Sequence, residues 1–329
     1  MKVLIVGAAG MIGRKLCAHL AQKGRLAGQP IDEAFLVDIV VPAPPAAAFP
    51  IKVDAFDIAA PYVPPKLIAG RPEMIFLLAS VVSGEAEADF DKGYSINLDG
   101  TRALFEAIRR EHVLSGGEYS PRLVFTSSIA VFGAPFPDKI DDEFLCAPLT
   151  SYGTQKAICE LLLGDYSRRG FFDGIGLRLP TICVRPGAPN KAASGFFSGI
   201  IREPLAGKEA ILPVGDDVRH WHASPRSAIG FLLHAAGLDT SLLGPRRTLT
   251  LPGVSATVGE QIEALRRFAG EKAVGLIRRQ PDETIARIVA GWPRDFDPAR
   301  AKALGFHADL DFSAIVQSYI EDDAPEAKG

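Results

Sequence analysis

The sequence predicts an α/β fold, in which a doubly wound parallel sheet is followed by a smaller C-terminal lobe. Over the first 180 residues, short β-branched runs alternate with longer helical segments. The strand candidates are apolar along nearly their whole length, and the alternation stops after Pro180. Alternating strands and helices form parallel sheets, whose strands are covered on both faces and therefore lack a polar side.

The strands of this sheet and the helices between them are predicted from runs of apolar residues. Gly, Pro and polar residues mark the ends of each run. The predicted strands are Lys2–Val6, Ala34–Val37, Ile51–Val53, Met74–Ala79, Arg122–Thr126 and Gly174–Leu179. The helical segments between them are Met11–Gln22, Ala86–Glu111 and Ser151–Tyr166. The connection Val41–Pro50 is too rich in proline for a helix and is predicted to be a loop.

After Pro180 the pattern predicts loops, a few strands and short helices near Ser224–Ala236, Val258–Ala269 and Phe312–Ile320. We predict that residues 1–180 form the first domain, to which residues 224–250 return. Residues 181–223 and 251–329 are predicted to form the smaller lobe, set over the C-terminal edge of the sheet.

The composition argues against several classes of protein. The 36 basic and 39 acidic residues give a net charge of −3, so no positive excess attracts nucleic acid. No apolar run approaches the roughly 20 residues of a membrane span, and we expect a cytoplasmic protein without a membrane partner. Four cysteines lack metal-ligand spacing and are interpreted as buried apolar residues in a reducing compartment. They are Cys17, Cys146, Cys159 and Cys183.

A glycine-rich turn joins the first predicted strand to the first helix. Gly7 permits the tight turn, Gly10 lets the backbone approach a pyrophosphate, and Gly13 lets the helix pack against the strand. The first helical residues, Met11 and Ile12, offer backbone N–H groups at the positive end of the helix dipole. This strand–turn–helix context predicts a Rossmann-type dinucleotide site in the first domain, and so a substrate-binding role for the smaller lobe.

Two acidic residues follow later strands of the same domain. Asp38 ends the second predicted strand, 25 residues after Gly13, where a carboxylate accepts hydrogen bonds from both ribose hydroxyls. It would repel a 2′-phosphate, and no Arg or Lys follows in Ile39-Val40, so NAD is favoured over NADP. Asp54 is predicted to face the adenine ring. Ala79, at the end of the fourth predicted strand, is assigned to the same cofactor site.

The segment Tyr152-Gly-Thr-Gln-Lys156 places a phenol and an ammonium on one helical face. A phenol titrates near 10 in water, and the adjacent cation favours its ionised form, which makes Tyr152 a candidate general base. Lys156 is also expected to hold the nicotinamide ribose, and Ser128 to hydrogen-bond the substrate oxygen. Tyr62-Val-Pro-Pro-Lys66 has the same spacing, but its prolines are predicted to prevent the helix.

Together these motifs resemble the extended short-chain dehydrogenase/reductases, the NAD-dependent epimerase/dehydratase family. The resemblance runs from Met1 to about Ile320 and rests on GAAGMIG, Asp38, SINLDGT, FTSSIAVFG, SYGTQK and LRLPTICVRPG. It implies that Ser128, Tyr152 and Lys156 are the catalytic set and that Asn97 supports Lys156 through water. It also implies that backbone and side chains around Pro180–Ile182 bind the nicotinamide carboxamide, and that the helices of Ala86–Glu111 and Ser151–Tyr166 form a homodimer interface.

Departures from the family pattern narrow the expected activity. Ile129 and Ala130 stand where sugar-nucleotide dehydratases carry an Asp-Glu pair, so dehydration is not expected. Thr181 stands where sugar-nucleotide epimerases usually have Asn, and Arg219–Arg226 retains only the arginine of their later motif. A nucleoside-diphosphate-sugar 4-epimerase stays open as the alternative, and a non-catalytic NAD-binding scaffold as a second one.

The segments RHWHASPR, from Arg219, and RPGAPNK, from Arg185, resemble the subgroup of D-erythronate dehydrogenases. This resemblance implies NAD-dependent oxidation of a small sugar acid at C2, with D-erythronate giving 2-dehydro-D-erythronate. A small carboxylate needs a cation and hydroxyl partners rather than a nucleotide groove. The candidate substrate residues are Ser83, Thr181, Arg185, Asn190, Lys191 and Arg219, with Ser128 and Tyr152 at the reacting oxygen. His220 and His222 share one face of an extended segment but lack a third ligand, so no metal site is predicted.

Overall fold

The computed structural model of the chain describes residues 1–187 and 193–324, which form two compact units. The first unit contains Met1–Val131, Thr150–Arg178 and Ile229–Thr250. The second unit contains Phe132–Leu149 and the described parts of Leu179–Ala228 and Leu251–Gly329. The assignment of cofactor binding to one domain and substrate binding to the other stays a prediction, because packing alone defines these units.

The elements of the described residues are as follows in chain order. The strands are β1 (Lys2–Val6), β2 (Arg25–Leu26), β3 (Gln29–Pro30), β4 (Glu33–Asp38), β5 (Ile51–Ala55), β6 (Met74–Leu77), β7 (Arg122–Ser128), β8 (Ile140–Asp141), β9 (Asp173–Leu179), β10 (Thr181–Ile182), β11 (Ala210–Leu212), β12 (Arg219–Ala223), β13 (Thr248–Thr250), β14 (Val254–Thr257), β15 (Ile277–Arg279) and β16 (Phe296–Asp297). The helices are α1 (Met11–Lys23), α2 (Val63–Ile68), α3 (Ser83–Ala88), α4 (Phe90–Gly93), α5 (Thr101–Leu114), α6 (Ser151–Arg168), α7 (Gly195–Leu205), α8 (Pro225–Gly237), α9 (Val258–Val274), α10 (Glu283–Ala290), α11 (Ala299–Ala303) and α12 (Phe312–Asp322).

The first unit is built on a seven-stranded sheet with the strand order β13-β9-β7-β6-β1-β4-β5. Strand β1 pairs in parallel with β4 on one side and with β6 on the other. The predicted doubly wound parallel sheet is confirmed. Because the strand order reverses beside β1, a crevice for ligands is expected at the carboxyl end of this strand, where the glycine-rich turn begins.

Apolar strands pack this sheet into a core on both faces. Leu4 and Ile5, successive residues of β1 whose side chains point to opposite faces, are 1% and 0% exposed, and Ile75 of β6 is fully buried. Phe105 of α5 and Leu163 of α6 belong to the same buried cluster. The continuous apolar character of the strands therefore reflects their cover by helices, as the sequence predicts.

The predicted long helix Ala86–Glu111 is instead a succession of shorter helices. Asp89 interrupts it with non-helical dihedral angles (φ −133°, ψ 89°), and its side chain caps α4 by accepting a hydrogen bond from the Lys92 amide. A π-helix over Tyr94–Gly100 then leads into α5. Hydrophobic periodicity does not reveal such breaks, because the apolar face continues through them.

The prediction that two prolines prevent a helix at Tyr62–Lys66 is wrong. Helix α2 begins at Val63 and carries Pro64 and Pro65 in its first turn. Proline is tolerated there because the first-turn N–H groups have no intrahelical acceptor to lose. Tyr62 itself is only the N-cap residue of this six-residue helix and is exposed.

The second unit has its own sheets and its own core. A three-stranded sheet has the order β10-β12-β14, with β12 parallel to β10 and antiparallel to β14. Phe197 of α7, Leu265 of α9 and Ile315 of α12 are fully buried in one cluster. Helix α9 begins with a reciprocal capping box between Thr257 and Glu260.

Three of the four cysteines are buried, as interpreted from the sequence, but Cys146 is exposed. Burial raises the pKa of the Cys159 thiol to about 11, so this side chain is protonated near neutral pH. Among the described residues, no helix is both long enough and apolar enough to cross a membrane.

Candidate active site

The glycine-rich turn leaves no room for side chains at two of its glycines. Gly7 has a positive φ of +97°, and a Cβ there would lie 2.5 Å from the backbone nitrogen of Ala79. A Cβ on Gly13 would lie 2.2 Å from the carbonyl oxygen of Gly7. The backbone of Ala79 therefore lies against the turn, as expected for the cofactor site. Only glycine fits at positions 7 and 13.

Above this turn the backbone of α1 is open. A Cβ on Gly10 would meet only the Gly7 carbonyl oxygen, at 3.4 Å, and Gly10 provides no side-chain cap for the helix. Met11 and Ile12 form the first turn of α1, where N–H groups lack intrahelical acceptors. Uncapped N–H groups at a helix N-terminus fit the pyrophosphate of a dinucleotide.

Asp38 joins the end of β4 to the same turn. Its Oδ2 atom accepts a hydrogen bond of 2.9 Å from the Ala9 amide, and its Oδ1 atom accepts one of 2.7 Å from the Ile39 amide. Each carboxylate oxygen keeps a further lone pair for a ribose hydroxyl. Asp54 lies on β5, opposite Val37 of β4, and is half-buried.

The Lys156 side chain is buried beneath the end of β7. It is 2% exposed, and its Nζ atom donates a hydrogen bond of 2.9 Å to the carbonyl oxygen of Thr126. The same atom lies 4.9 Å from the ring centroid of Phe125 and 5.7 Å from that of Tyr152. Burial lowers the pKa of the Lys156 ammonium to about 8.

Tyr152 and Ser128 are positioned by neighbouring backbone structure. Helix α6 begins at Ser151, and the Thr150 side chain caps it by accepting from the Gly153 amide. This cap places Tyr152 in the first turn, one turn before Lys156. Ser128 ends β7, and its Oγ atom accepts a hydrogen bond of 3.1 Å from the Ala130 amide. Both side chains are half-buried.

The side chain of Asn97 is committed to partners other than Lys156. Its Oδ1 atom accepts from the Ser80 hydroxyl and the Val81 amide, at 2.8 and 2.9 Å. Its Nδ2 atom donates to the Val81 carbonyl and to Oε1 of Gln155, at 3.2 and 2.8 Å. These four bonds use its full capacity. The side chain thus fixes the loop after β6, and support of Lys156 by Asn97 through water stays a prediction.

A buried ion pair lies next to Lys156 of α6 and was not predicted. Arg178 of β9 donates to both carboxylate oxygens of Glu160, with the shortest distance 2.7 Å, and the Ser127 hydroxyl donates to Oε1. Glu160 is four residues after Lys156 on α6. Glu160 was the signal available in the sequence, because an acidic residue on the buried face of a helix needs a charged partner.

The remaining candidates for substrate binding lie in both units. Ser83 begins α3 in the first unit and is half-buried. In the second unit, the Arg185 Nε atom donates to the Ile182 carbonyl oxygen at 3.0 Å. Arg219 donates to Ser255 and pairs with Glu260 at 3.4 Å. Pro180 and Ile182 are buried, whereas Asn190 and Lys191 lie outside the described residues.

Thr181 is paired with a buried histidine. Its Oγ1 atom lies 2.7 Å from Nε2 of His220, and Nδ1 of His220 lies 2.8 Å from the Pro293 carbonyl oxygen. Burial lowers the pKa of His220 to about 4. His222, on the same strand, contacts Gln261 at 3.1 Å, and its pKa is also lowered by burial. The two histidines are thus neutral, hydrogen-bonded residues of the second unit.

Curated proteins include two full-length relatives with one name. D-erythronate dehydrogenase from Cupriavidus necator is 45% identical over 98% of this chain and 98% of its own length. D-erythronate dehydrogenase from Haemophilus influenzae is 41% identical over 98% of this chain and all of its own length.

Among solved structures, one described as the nucleoside-diphosphate-sugar epimerase from Agrobacterium tumefaciens is 61% identical. The two structures superpose with a TM-score of 0.96, and the match covers 99% of this chain and 95% of that structure's chain. The model of the NAD dependent epimerase/dehydratase family matches residues 3–224. The resemblance deduced from the motifs is confirmed, and the chain belongs to the NAD dependent epimerase/dehydratase family, with NAD as its cofactor.

Proposed function

We propose that this protein is an NAD-dependent dehydrogenase that oxidises D-erythronate at C2 to 2-dehydro-D-erythronate. The observation that carries the chemistry is the buried ammonium of Lys156, 5.7 Å from the ring centroid of Tyr152 in the first turn of α6. The substrate is supported by the two full-length relatives named D-erythronate dehydrogenase.

The first unit supplies the groups that would hold the cofactor. The N–H groups at the start of α1 would bind its pyrophosphate, Asp38 its adenosine ribose, and Lys156 its nicotinamide ribose. When bound, NAD accepts a hydride, so the C2–H bond breaks with its electron pair.

Tyr152 takes the proton of the C2 hydroxyl while the C2–O bond of the substrate becomes a carbonyl. The ionised phenol is the required base, and the nearby Lys156 ammonium favours this form electrostatically. The Ser128 hydroxyl donates a hydrogen bond to the substrate oxygen and so orients it. One hydride and one proton leave the alcohol, which balances its two-electron oxidation.

For the substrate carboxylate, Arg185 and Arg219 are the candidate cations within the described residues. Both are half-buried, where a charge-assisted bond is less screened than at the surface. Arg219 also pairs with Glu260, at 3.4 Å. Ser83 and Thr181 supply hydroxyl groups for the polyol part of the substrate.

The test is NADH formation, followed by its absorbance, from NAD and a panel of C3–C6 sugar acids that includes D-erythronate. We expect turnover with the four-carbon acid. The matched control is Tyr152→Phe, which keeps the ring and removes the base. It should abolish turnover and leave NADH binding, measured by fluorescence, nearly unchanged. Retained turnover in this variant contradicts the proposed role of Tyr152.

A nucleoside-diphosphate-sugar 4-epimerase is the second candidate, favoured by the description of the 61% identical structure. Such an enzyme returns the hydride and accumulates no NADH. Epimerisation of a UDP-sugar, together with silence across the sugar-acid panel, would establish it instead. Thr181, at a position where sugar-nucleotide epimerases usually carry Asn, argues for the sugar acid.

We also propose that the protein is a cytoplasmic homodimer. Leu161 of α6 is 76% exposed and Leu114 of α5 is 78% exposed, which leaves apolar surface on two helices expected at a dimer interface. A molar mass of a single chain by light scattering would contradict the dimer. Localisation is checked by cell fractionation.

A further inference from the structure

The hydrogen-bond direction between Thr181 and His220 follows from the groups around His220. The Pro293 carbonyl oxygen can only accept a hydrogen bond, so Nδ1 of His220 carries a hydrogen. A neutral imidazole has only one such hydrogen, so Nε2 is an acceptor. The Thr181 hydroxyl therefore donates its hydrogen to Nε2, at 2.7 Å.

The surroundings of His220 keep the ring neutral and fixed. Its side chain is 2% exposed and is stacked parallel to Phe197, with ring centroids 5.4 Å apart. The Trp292 ring, tilted by 42°, packs against it at 5.2 Å between centroids. Positive charge on Arg185 further disfavours protonation of the imidazole. The ring therefore stays an acceptor toward Thr181 near neutral pH.

As a consequence, Thr181 presents only lone pairs to a ligand. A threonine hydroxyl has one hydrogen and two acceptor sites, and here the hydrogen is used inside the protein. The remaining lone pairs can bind a hydroxyl hydrogen, but they repel a diphosphate or ketone oxygen. Thr181 is half-exposed and follows β9 by two residues, and open α/β sheets bind ligands at the carboxyl ends of their strands.

We propose that Thr181, with its hydrogen held by His220, is a specificity-determining acceptor for a C3 or C4 hydroxyl group of the sugar-acid substrate, an inference that rests on the proposed function. His220 is a positioning residue that acts through Thr181. The pair selects polyhydroxy acids over deoxy acids and over nucleotide diphosphates.

The orientation of the pair is tested without substrate. Nitrogen-15 NMR of the histidine rings in the ligand-free protein reports which ring nitrogen carries the hydrogen. The signals of His220 are assigned by their absence from the spectrum of His220→Phe. We expect the Nδ1–H form of His220 from pH 6 to pH 8. An Nε2–H form would make Thr181 the acceptor of that bond and overturn the proposal.

The specificity is tested with D-erythronate and its 3-deoxy and 4-deoxy analogues. For the wild-type protein, removing the recognised hydroxyl should lower kcat/KM by about 10- to 100-fold, and Thr181→Val should cause a similar loss on D-erythronate. The two losses should not add, because both remove the same hydrogen bond. Thr181→Ser should retain most activity, because it keeps the hydroxyl group.

His220→Phe and His222→Phe form a matched pair for the positioning role. Both rings are buried and contact Phe197, at 5.4 and 4.8 Å between centroids, but only His220 bonds Thr181. We expect His220→Phe to reduce the discrimination against the deoxy acid at least about fivefold. His222→Phe should leave this discrimination unchanged.

The outcomes separate the two proposals. A wild-type protein that forms no NADH from D-erythronate overturns the proposed function. An active wild-type protein whose Thr181→Val variant has the same kcat/KM overturns the role of Thr181 alone. The role of Thr181 is also overturned if Thr181→Val lowers kcat/KM by the same factor for D-erythronate and for both deoxy acids, because its defect is then unrelated to a substrate hydroxyl.

Discussion

Glu160 lies one helical turn after Lys156, yet its carboxylate forms its ion pair with Arg178, at 2.7 Å. Lys156 donates to the Thr126 carbonyl oxygen. The carboxylate is thus compensated by a guanidinium on β9, and in the proposed mechanism the ammonium acts on Tyr152 and the cofactor. This separation keeps a positive charge where that mechanism requires a phenolate.

Lys156→Met should stabilise the protein while abolishing turnover. The pKa of Lys156 is lowered to about 8, so between that pH and its ordinary value the unfolded chain binds more protons and the free energy of unfolding rises with pH. Below pH 8 the folded protein carries the full penalty of a buried ammonium. We expect Lys156→Met to gain on the order of 1–3 kcal/mol at pH 6.5, measured by urea unfolding, and less at pH 9.5. An equal gain at both pH values would contradict this origin.

Arg178→Met should strongly destabilise the first unit. Removing the guanidinium leaves the buried Glu160 carboxylate without its ionic partner, which typically costs about 3–5 kcal/mol. Arg178→Met with Glu160→Met should recover most of this loss in urea unfolding. Arg278→Met is the matched control, because its pair with Glu209 is exposed on both sides and such pairs contribute about 1 kcal/mol or less. Equal losses for the two arginines would refute the distinction.

The buried histidines should make the protein sensitive to acid. Burial holds the pKa of His220 at about 4 and lowers that of His222, so on acidification below pH 6.5 protons bind the unfolded chain first. The free energy of unfolding should therefore fall with pH, by up to about 1.4 kcal/mol per pH unit for each histidine. His222→Phe should reduce this slope between pH 6.5 and 4.5. If the free energy of unfolding of His222→Phe depends on pH as steeply as that of the wild-type protein, the prediction is contradicted.

Asp38→Asn should weaken the preference for NAD. The neutral amide keeps an oxygen that can accept from the Ala9 amide but no longer repels a 2′-phosphate. We expect the ratio of kcat/KM for NAD to that for NADP to fall at least about tenfold. Asp57→Asn, in an exposed loop after β5, is the control for general loss of negative charge. A ratio that falls equally in both variants would remove Asp38 from this role.

Local patterns predicted those parts of the molecule that neighbouring residues determine. The apolar run Lys2–Val6 and the glycines after it fix β1 and the start of α1, and both were predicted at the observed residue. Tyr152 and Lys156 were found for the same reason, since four residues on one helix place them together. The break at Asp89 was missed because the apolar face of the segment continues through it.

The partners of these residues could not be predicted in the same way. Gln155 meets Asn97 across 58 positions of sequence, and His220 meets Pro293 across 73. Such contacts depend on how distant elements pack, which one sequence does not reveal. The Lys156–Thr126 bond, across 30 positions, belongs to the same class.

The order in which the sheet is completed has a consequence for biosynthesis. Strand β13, at one edge of the seven-stranded sheet, pairs Thr248 with Gly176 of β9. A ribosome must therefore deliver about three-quarters of the chain before that edge is covered, although domains generally fold in order of emergence. Until then β9 is a bare edge open to pairing with other nascent chains. A polypeptide ending near residue 180 would carry the whole glycine-rich turn and still leave this edge exposed.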